Sequence, residues 1–281
     1  MSQHISGERS AYLKAGTDII LPSDKIVGSP TENNYDIVIT GTKRDKKSFP
    51  KYEKDINWTG VNSLAKKLEK FDVEVLPIEL DISNEIDVES AFRLIIEKFN
   101  RIDVLVNNAG VMPVGVTEAF TMTQLKDLFE VNVYGIARTS RAVLPSMRRQ
   151  KSGLIINLSS AAGRLSLPFF GIYCSSKWAM ESYTETLNLE LEGSGVEAVI
   201  IQPSAHRTEL VSTSPSPNDA DRANAYGPLA AGGERMLGMF QSAFDQNADI
   251  NDAGNVAAAI QALIEMENPR PVRTVVGEDM G

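Results

Sequence analysis

From residue 35 onward the chain alternates short apolar runs with longer stretches of helical period. The runs at 36–40, 73–80, 103–107, 153–159, 196–202 and 272–276 are rich in aliphatic residues and bounded by turn residues. That pattern predicts strands buried on both faces of a sheet. Between them, 84–99 places Ile86, Val88, Phe92, Ile95, Ile96 and Phe99 largely on one helical face. Thr121 and Gln124 have the spacing of a capping box, which would open a long helix running to about Arg149. The stretches 175–191 and 256–266 read as two more helices. Strand–helix alternation of this kind predicts an α/β fold, a doubly wound parallel sheet (Rossmann-like) in a single domain over 35–281. Ligands then bind beyond the carboxyl ends of the strands.

Two regions break the pattern. Residues 1–34 form an atypical N-terminal segment in which 18–21 suits a strand and 6–15 a helix, in the wrong order for a strand–helix unit. Residues 204–228 are rich in Ser, Pro, Asn and Asp and follow a strand's carboxyl end. A long irregular segment there suits a lid over a site, or a mobile loop with no role.

Composition narrows the chemistry. Hydrophobic residues make up 42% of the 281 residues and the formal net charge is −9. The composition is that of a globular protein, and the acidity argues against nucleic acid or an anionic membrane as partner. No apolar run reaches transmembrane length, and polar residues spread through 1–16 argue against a signal peptide. Cys174 is the one cysteine, so no intrachain disulfide forms and a cytoplasmic setting fits. With His4 and His206 as the two histidines, no common zinc site can be built. A Cys174–His206 nucleophile pair is conceivable, but a small buried space-filler is the stronger reading of Cys174. Catalysis must rest on hydroxyls, lysines, carboxylates or a cofactor.

Tyr173 and Lys177 lie four apart at the start of a predicted helix and so share a face. A nearby ammonium favours the phenolate and turns a weak acid into a usable acid and base. The same spacing also arises on helices with no such role. Around it stand other polar residues in apolar settings. Ser159 and Ser160 end a strand, and Asn107-Asn108-Ala109-Gly110 ends another. Asn132 sits inside a helix between Val131 and Val133, where it must find hydrogen-bond partners. Strand-end turn chemistry and a local helix kink are the alternative readings of these groups.

Together the residues resemble the short-chain dehydrogenase/reductase family, classical type. The matching positions are Asp81, Asn107 to Gly110, Asn132, Ser160, Tyr173-x-x-x-Lys177, Pro203 and Thr208, in the family's order and spacing over roughly 35–277. The resemblance implies that Tyr173 is the general acid in carbonyl reduction and the base in alcohol oxidation. It makes Lys177 the residue that tunes Tyr173 and holds the nicotinamide ribose, and Ser160 the hydrogen-bond donor to the substrate carbonyl. Asn132 would hold a water in a proton relay. Asp81 and Ile82 would border the adenine, Asn108, Ala109 and Gly110 the adenosine side, and Pro203, His206 and Thr208 the nicotinamide carboxamide. An NAD(P)-dependent oxidoreductase acting on a small apolar carbonyl or alcohol follows, with a homodimer or homotetramer implied by a face of small residues, Ser175, Ala179, Ser182 and Thr186, on the helix after Tyr173. That face also suits packing on the protein's own sheet.

The family's glycine-rich turn after the first strand is missing. Thr40-Gly41 looks like its start, but Asp45 and Lys47 stand where glycines belong. The run 36–40 is therefore better read as strand two. Lys43-Arg44 then falls where a 2′-phosphate-binding cation sits, with Arg44 the candidate, which favours NADP while leaving NAD possible; a solvated basic turn is the alternative. Ser204 replaces the glycine expected after Pro203. The missing turn also keeps open a second function, a non-redox isomerase, lyase or cyclase, or a binding protein, on the same scaffold.

Overall fold

The computed structural model describes residues 17–21, 37–41, 75–246 and 249–277. The predicted helix 6–15 and the stretch 42–74 with Arg44 lie outside these residues.

Seven described strands form one sheet: β1 (Thr17–Leu21), β2 (Ile37–Gly41), β3 (Val75–Glu79), β4 (Val104–Asn107), β5 (Gly153–Leu158), β6 (Val196–Pro203) and β7 (Arg273–Val276), in spatial order β3-β2-β1-β4-β5-β6-β7. The run 36–40 thus occupies the second position, as expected. β4 to β7 are mutually parallel, and β2 is parallel to β3. β1 departs from the expected all-parallel sheet, running antiparallel to both β2 and β4. An antiparallel ladder satisfies the backbone equally well, and mixed sheets are common.

Helix α1 (Glu85–Phe99) begins at Asn84, whose side chain accepts from the amides of Ile86 and Asp87, and ends at Asn100 in a left-handed conformation, φ 63°. The expected capping box opens α2 (Met122–Phe129), with Thr121 and Gln124 bonded reciprocally. The single helix predicted to Arg149 is interrupted: a π-turn, Glu130–Gly135, separates α2 from α3 (Ile136–Gln150). Helix α4 (Gly171–Glu190) follows β5. The segment after β6 carries two short helices, α5 (Glu209–Ser212) and α6 (Ala220–Ala225), before α7 (Gly232–Gln246) and α8 (Ala253–Glu265). Among the described residues no helix is long and apolar enough to cross a membrane.

Both sheet faces are covered, which is why the strands read as continuous apolar runs. On one face Leu105, Ile155 and Ala198 pack with Ile95, Val143 and Met147 of α1 and α3 and Ile172 of α4. On the other Val104, Val106, Ile156, Val199 and Ile201 meet Val256, Ile260 and Leu263 of α8. Each such side chain contributes about 1.5–3 kcal/mol when fully buried. A polar row crosses the first core: Thr139 donates to Asn107, Asn107 to Asn157 (2.7 Å) and Asn157 to Thr184 (2.8 Å). Asn107 and Asn157 are register partners, so the row fixes the carboxyl ends of β4 and β5 against α3 and α4.

Candidate active site

The carboxyl ends of the parallel strands open into a cavity of about 200 Å³. Tyr173 and Lys177, on the first turns of α4, both line it, and Ser160, two residues past β5, stands in the same wall. Tyr173 is 4% exposed and Lys177 6%. The Lys177 Nζ donates to the carbonyl of Leu158 at 2.7 Å and lies 5.8 Å from the centre of the Tyr173 ring. Burial pulls the Lys177 ammonium down to about 8, with the Glu181 carboxylate opposing the shift. It therefore stays largely cationic at neutral pH, beside the phenol. Ser160 Oγ accepts from the amide of Ala162, which leaves its own proton to donate into the cavity.

Asn132 does not line the cavity; it is fully buried behind it. The π-turn brings its amide against the strand-end loop, where Oδ1 accepts from the Val111 amide (2.9 Å) and Nδ2 donates to the Val111 carbonyl (2.9 Å) and Ser176 Oγ (3.1 Å). A Cβ added at Gly110 would stand at ordinary contact distance from both, 3.6 Å from Asn132 Oδ1 and 3.8 Å from Lys177 Nζ, so both side chains lie beside Gly110. Such π-turns recur at functional sites.

Of the other sequence-derived residues, Asn108, Gly110, Pro203, His206 and Thr208 line the cavity. Asp81, Ile82 and Ala109 do not. Asp81 Oδ1 accepts from the amide and hydroxyl of Ser83. Ile82 is turned inward, 3% exposed, under Gly135, where a Cβ would come within 2.8 Å of its side chain. Ala109 is buried beneath the loop. Arg44 lies outside the described residues. The small-residue face of α4 is not packed on the sheet: Ser175, Ser182 and Thr186 are exposed, and Trp178 beside them is 49% exposed.

Sequence reasoning missed Met112, Phe240 and Phe244 in the apolar half of the cavity, while Leu210 and Val211 beside them fall in the segment 204–228 read as a lid. Met236, Leu237, Phe240 and Phe244 carry the helical spacing of α7, but two glycines hide its start. Their reason is close approach: a Cβ on Gly232 would strike the Phe169 ring, and one on Gly233 would lie 2.9 Å from Gly115 Cα. The segment 204–228 is irregular only in part: it carries α5 and α6, and the irregular stretch between them is fastened. Pro215 and Ser216 carbonyls accept from the Val114 amide and Gln124 Nε2, and the amides of Asn218 and Asp219 donate to Gln124 Oε1 and the Ala119 carbonyl. These bonds strap it to the loop after β4.

One polar atom in the wall points to a bound ligand. His206 Nδ1 lies 3.0 Å from the Ser204 carbonyl, while Nε2 is buried with no hydrogen-bond partner among the described residues. With the proton on Nδ1, Nε2 is an acceptor awaiting a donor. An acceptor, a phenol and an ammonium around one cavity fit the nicotinamide–ribose end of a dinucleotide. The pyrophosphate end is different. Because β1 is reversed, Leu21 pairs with Val104 at the start of β4, so β1 ends at the edge opposite the cavity.

The short chain dehydrogenase family model matches residues 54–219, more than half of the chain. An uncharacterized oxidoreductase of Schizosaccharomyces pombe is 36% identical over 52% of this chain and 61% of its own length. The 3-ketodihydrosphingosine reductase of Bacteroides thetaiotaomicron is 31% identical over 73% of each chain. The crystal structure of a short-chain dehydrogenase/reductase from Burkholderia phymatum in complex with NAD superposes with a TM-score of 0.65 at 26% identity, over 78% of this chain and 77% of that one. This chain spans 54–61% of the length of three curated oxidoreductases it matches. With the matched residues spanning β3 to the segment after β6 and the strand-end cavity in place, the chain belongs to the short-chain dehydrogenase/reductase family.

Proposed function

We propose that this protein transfers a hydride between NAD(P) and a carbonyl or alcohol substrate, with Tyr173 as general acid in reduction and general base in oxidation. The observation that carries the reading is the convergence of Tyr173, Lys177 and Ser160 on one strand-end cavity. When bound, the nicotinamide supplies or accepts the hydride. The chain's own residues do the rest. Ser160 donates a hydrogen bond to the carbonyl oxygen and steadies the charge that develops there. Tyr173 delivers the proton, and the Lys177 cation favours the phenolate left behind. Asn132 holds the loop of Val111 in place beside Lys177. His206, Pro203, Thr208, Asn108 and Gly110 hold the cofactor, with Asp81, Ile82 and Ala109 bordering it from behind the cavity wall.

Met112, Phe240 and Phe244 favour a small apolar substrate, in keeping with a relative whose name places a ketone in its substrate. Arg44 favours NADP over NAD. Residues 35–281 form the catalytic domain and 1–34 an atypical addition. The exposed small-residue face of α4 with Trp178 supports a homodimer or homotetramer, which a clean monomer on gel filtration would reject. A lone, buried Cys174 suits the cytoplasm, and fractionation checks that placement.

The reversed β1 favours a second reading, a non-redox isomerase, lyase or cyclase using the same phenol. A titration separates the two. Binding of NADPH or NADH, with turnover of a carbonyl panel that Tyr173→Phe lowers about a hundred- to ten-thousand-fold, supports the oxidoreductase. Binding of neither dinucleotide at millimolar concentration rejects it.

A further inference from the structure

Glu181 is 3% exposed and lies four residues beyond Lys177 and eight beyond Tyr173. Three ionisable side chains therefore share the buried face of α4 at one-turn spacing. A carboxylate so buried persists only when charge and hydrogen bonds compensate it. Its Oε1 accepts from Ser159 Oγ (2.5 Å) and Gln202 Nε2 (2.9 Å), and its Oε2 pairs with Arg273 (2.7 Å), which also holds Glu185. Gly163 is bare because a Cβ there would strike the same carboxylate and Ser159 Oγ. The anchors come from the ends of β5 and β6 and from β7, and one of them, Ser159, is the neighbour of Ser160.

We propose that Glu181 is a positioning residue for the proton-transfer pair, acting on Lys177 through its charge and on Ser160 through Ser159. The inference rests on the reading of Tyr173 and Lys177 as that pair. Burial alone drives the ammonium toward neutrality, and the Glu181 carboxylate is the charge that opposes it. Among the described residues, Tyr173 and His206 are the other titratable groups that line the cavity with Lys177, Cys174 sits three residues before it on α4, and Arg273 of β7 and Glu185 stand behind Glu181. The end of β5 contributes the neutral Ser159 and Ser160 and the π-turn the neutral Asn132, while the π-turn's Glu130 is paired with Arg138 and its Tyr134 is exposed. Carbonyl reduction needs the phenol protonated and the ammonium charged, so its rate falls as pH rises through the pair's coupled titration. Removing a nearby negative charge lowers the proton affinity of both members, whichever the limb reports.

The test is the pH profile of carbonyl reduction. In Glu181→Gln the alkaline limb moves about one unit lower, the small end of a neighbouring charge's effect. Glu181→Asp keeps the charge and restores the limb. Ser159→Ala lowers kcat several-fold with the limb in place. A folded Glu181→Gln whose limb stays at the wild-type position overturns the proposal. If that variant does not fold, Arg273→Gln decides: loss of the screening cation moves the limb upward, and an unmoved limb overturns the proposal. Substantial turnover by Tyr173→Phe would instead sink the assignment of the pair itself, independently of Glu181.

Discussion

Lys177 is held where an ammonium is costly. Its folded value, about 8, lies below its ordinary 10.5 because the group is buried. Below both values the charge is present in the folded and unfolded states, and folding bears the full desolvation cost. Between 8 and 10.5 the unfolded chain binds the proton and the folded one does not, so stability rises with pH. Measured against Lys177→Met, which has no such titration, wild type should gain on the order of 3 kcal/mol across that window, at 1.36 kcal/mol per unit. A flat difference in unfolding free energy from pH 7 to 10.5 would contradict a buried, depressed ammonium. Two asparagines show how far such groups were legible. Asn132, flanked by valines in a helix, announced a need for partners, but not that both backbone groups of Val111 would supply them. Asn157, alone among Leu154, Ile155, Ile156 and Leu158, carried the same signal inside a strand. Its row through Asn107, Thr139 and Thr184 depends on register, which no local pattern encodes. Asn157→Leu takes the acceptor from Asn107 Nδ2 in the core, while Thr184 Oγ1 loses a donor but keeps its bond to the Met180 carbonyl. Urea unfolding should register a loss of about 1–3 kcal/mol, the cost of one unsatisfied buried donor.

At the scale of elements, the capping box was readable because it is local; what Gln124 does besides was not. Its Oε1 accepts from the Thr121 and Asn218 amides and its Nε2 donates to the Ser216 carbonyl. One side chain thus starts α2 and fastens the segment leading to α6, across 92 residues of sequence. The Pro- and Ser-rich composition of 214–219 reads as loop, yet its backbone is tied to the loop after β4. The π-turn was hidden for a related reason: apolar periodicity runs through it, and the extra residue per turn is set by the contact of Asn132 with Val111. Gln124→Leu removes the strap while leaving Thr121 to cap α2. Limited proteolysis should then cut within 213–219 about ten times faster, and KM for an apolar ketone should rise more than kcat falls, because Leu210, Val211 and Met112 shape the substrate side of the cavity. Unchanged cleavage would mean that the segment is held by α7 packing instead.

For the whole molecule, alternation of strands and helices was enough to place six of the seven described strands and the edge that carries the site. The direction of β1 was not readable, since a short apolar run pairs in either sense and its orientation depends on connections on both sides. That reversal matters for the cofactor. Gly41 pairs with Thr17 and with Glu79, so β2 ends on the same edge as the cavity, two residues before Lys43. In a chain of net charge −9, an anionic dinucleotide needs local cations, and Lys43-Arg44 is a basic pair that follows strand two in the sequence. A guanidinium on a 2′-phosphate makes a charge-assisted bond of about 1.5–3 kcal/mol, or roughly a ten- to hundredfold effect on Kd. Arg44→Ala should therefore weaken NADPH binding by about that factor while leaving NADH near its wild-type affinity, as read by fluorescence titration of the two cofactors side by side. Equal losses would assign Arg44 to the shared part of the dinucleotide, and no loss would make it a solvated turn. Either result would remove the preference for NADP while leaving the cavity chemistry of Tyr173 and Lys177 untouched, because that chemistry stands at the other end of the ligand.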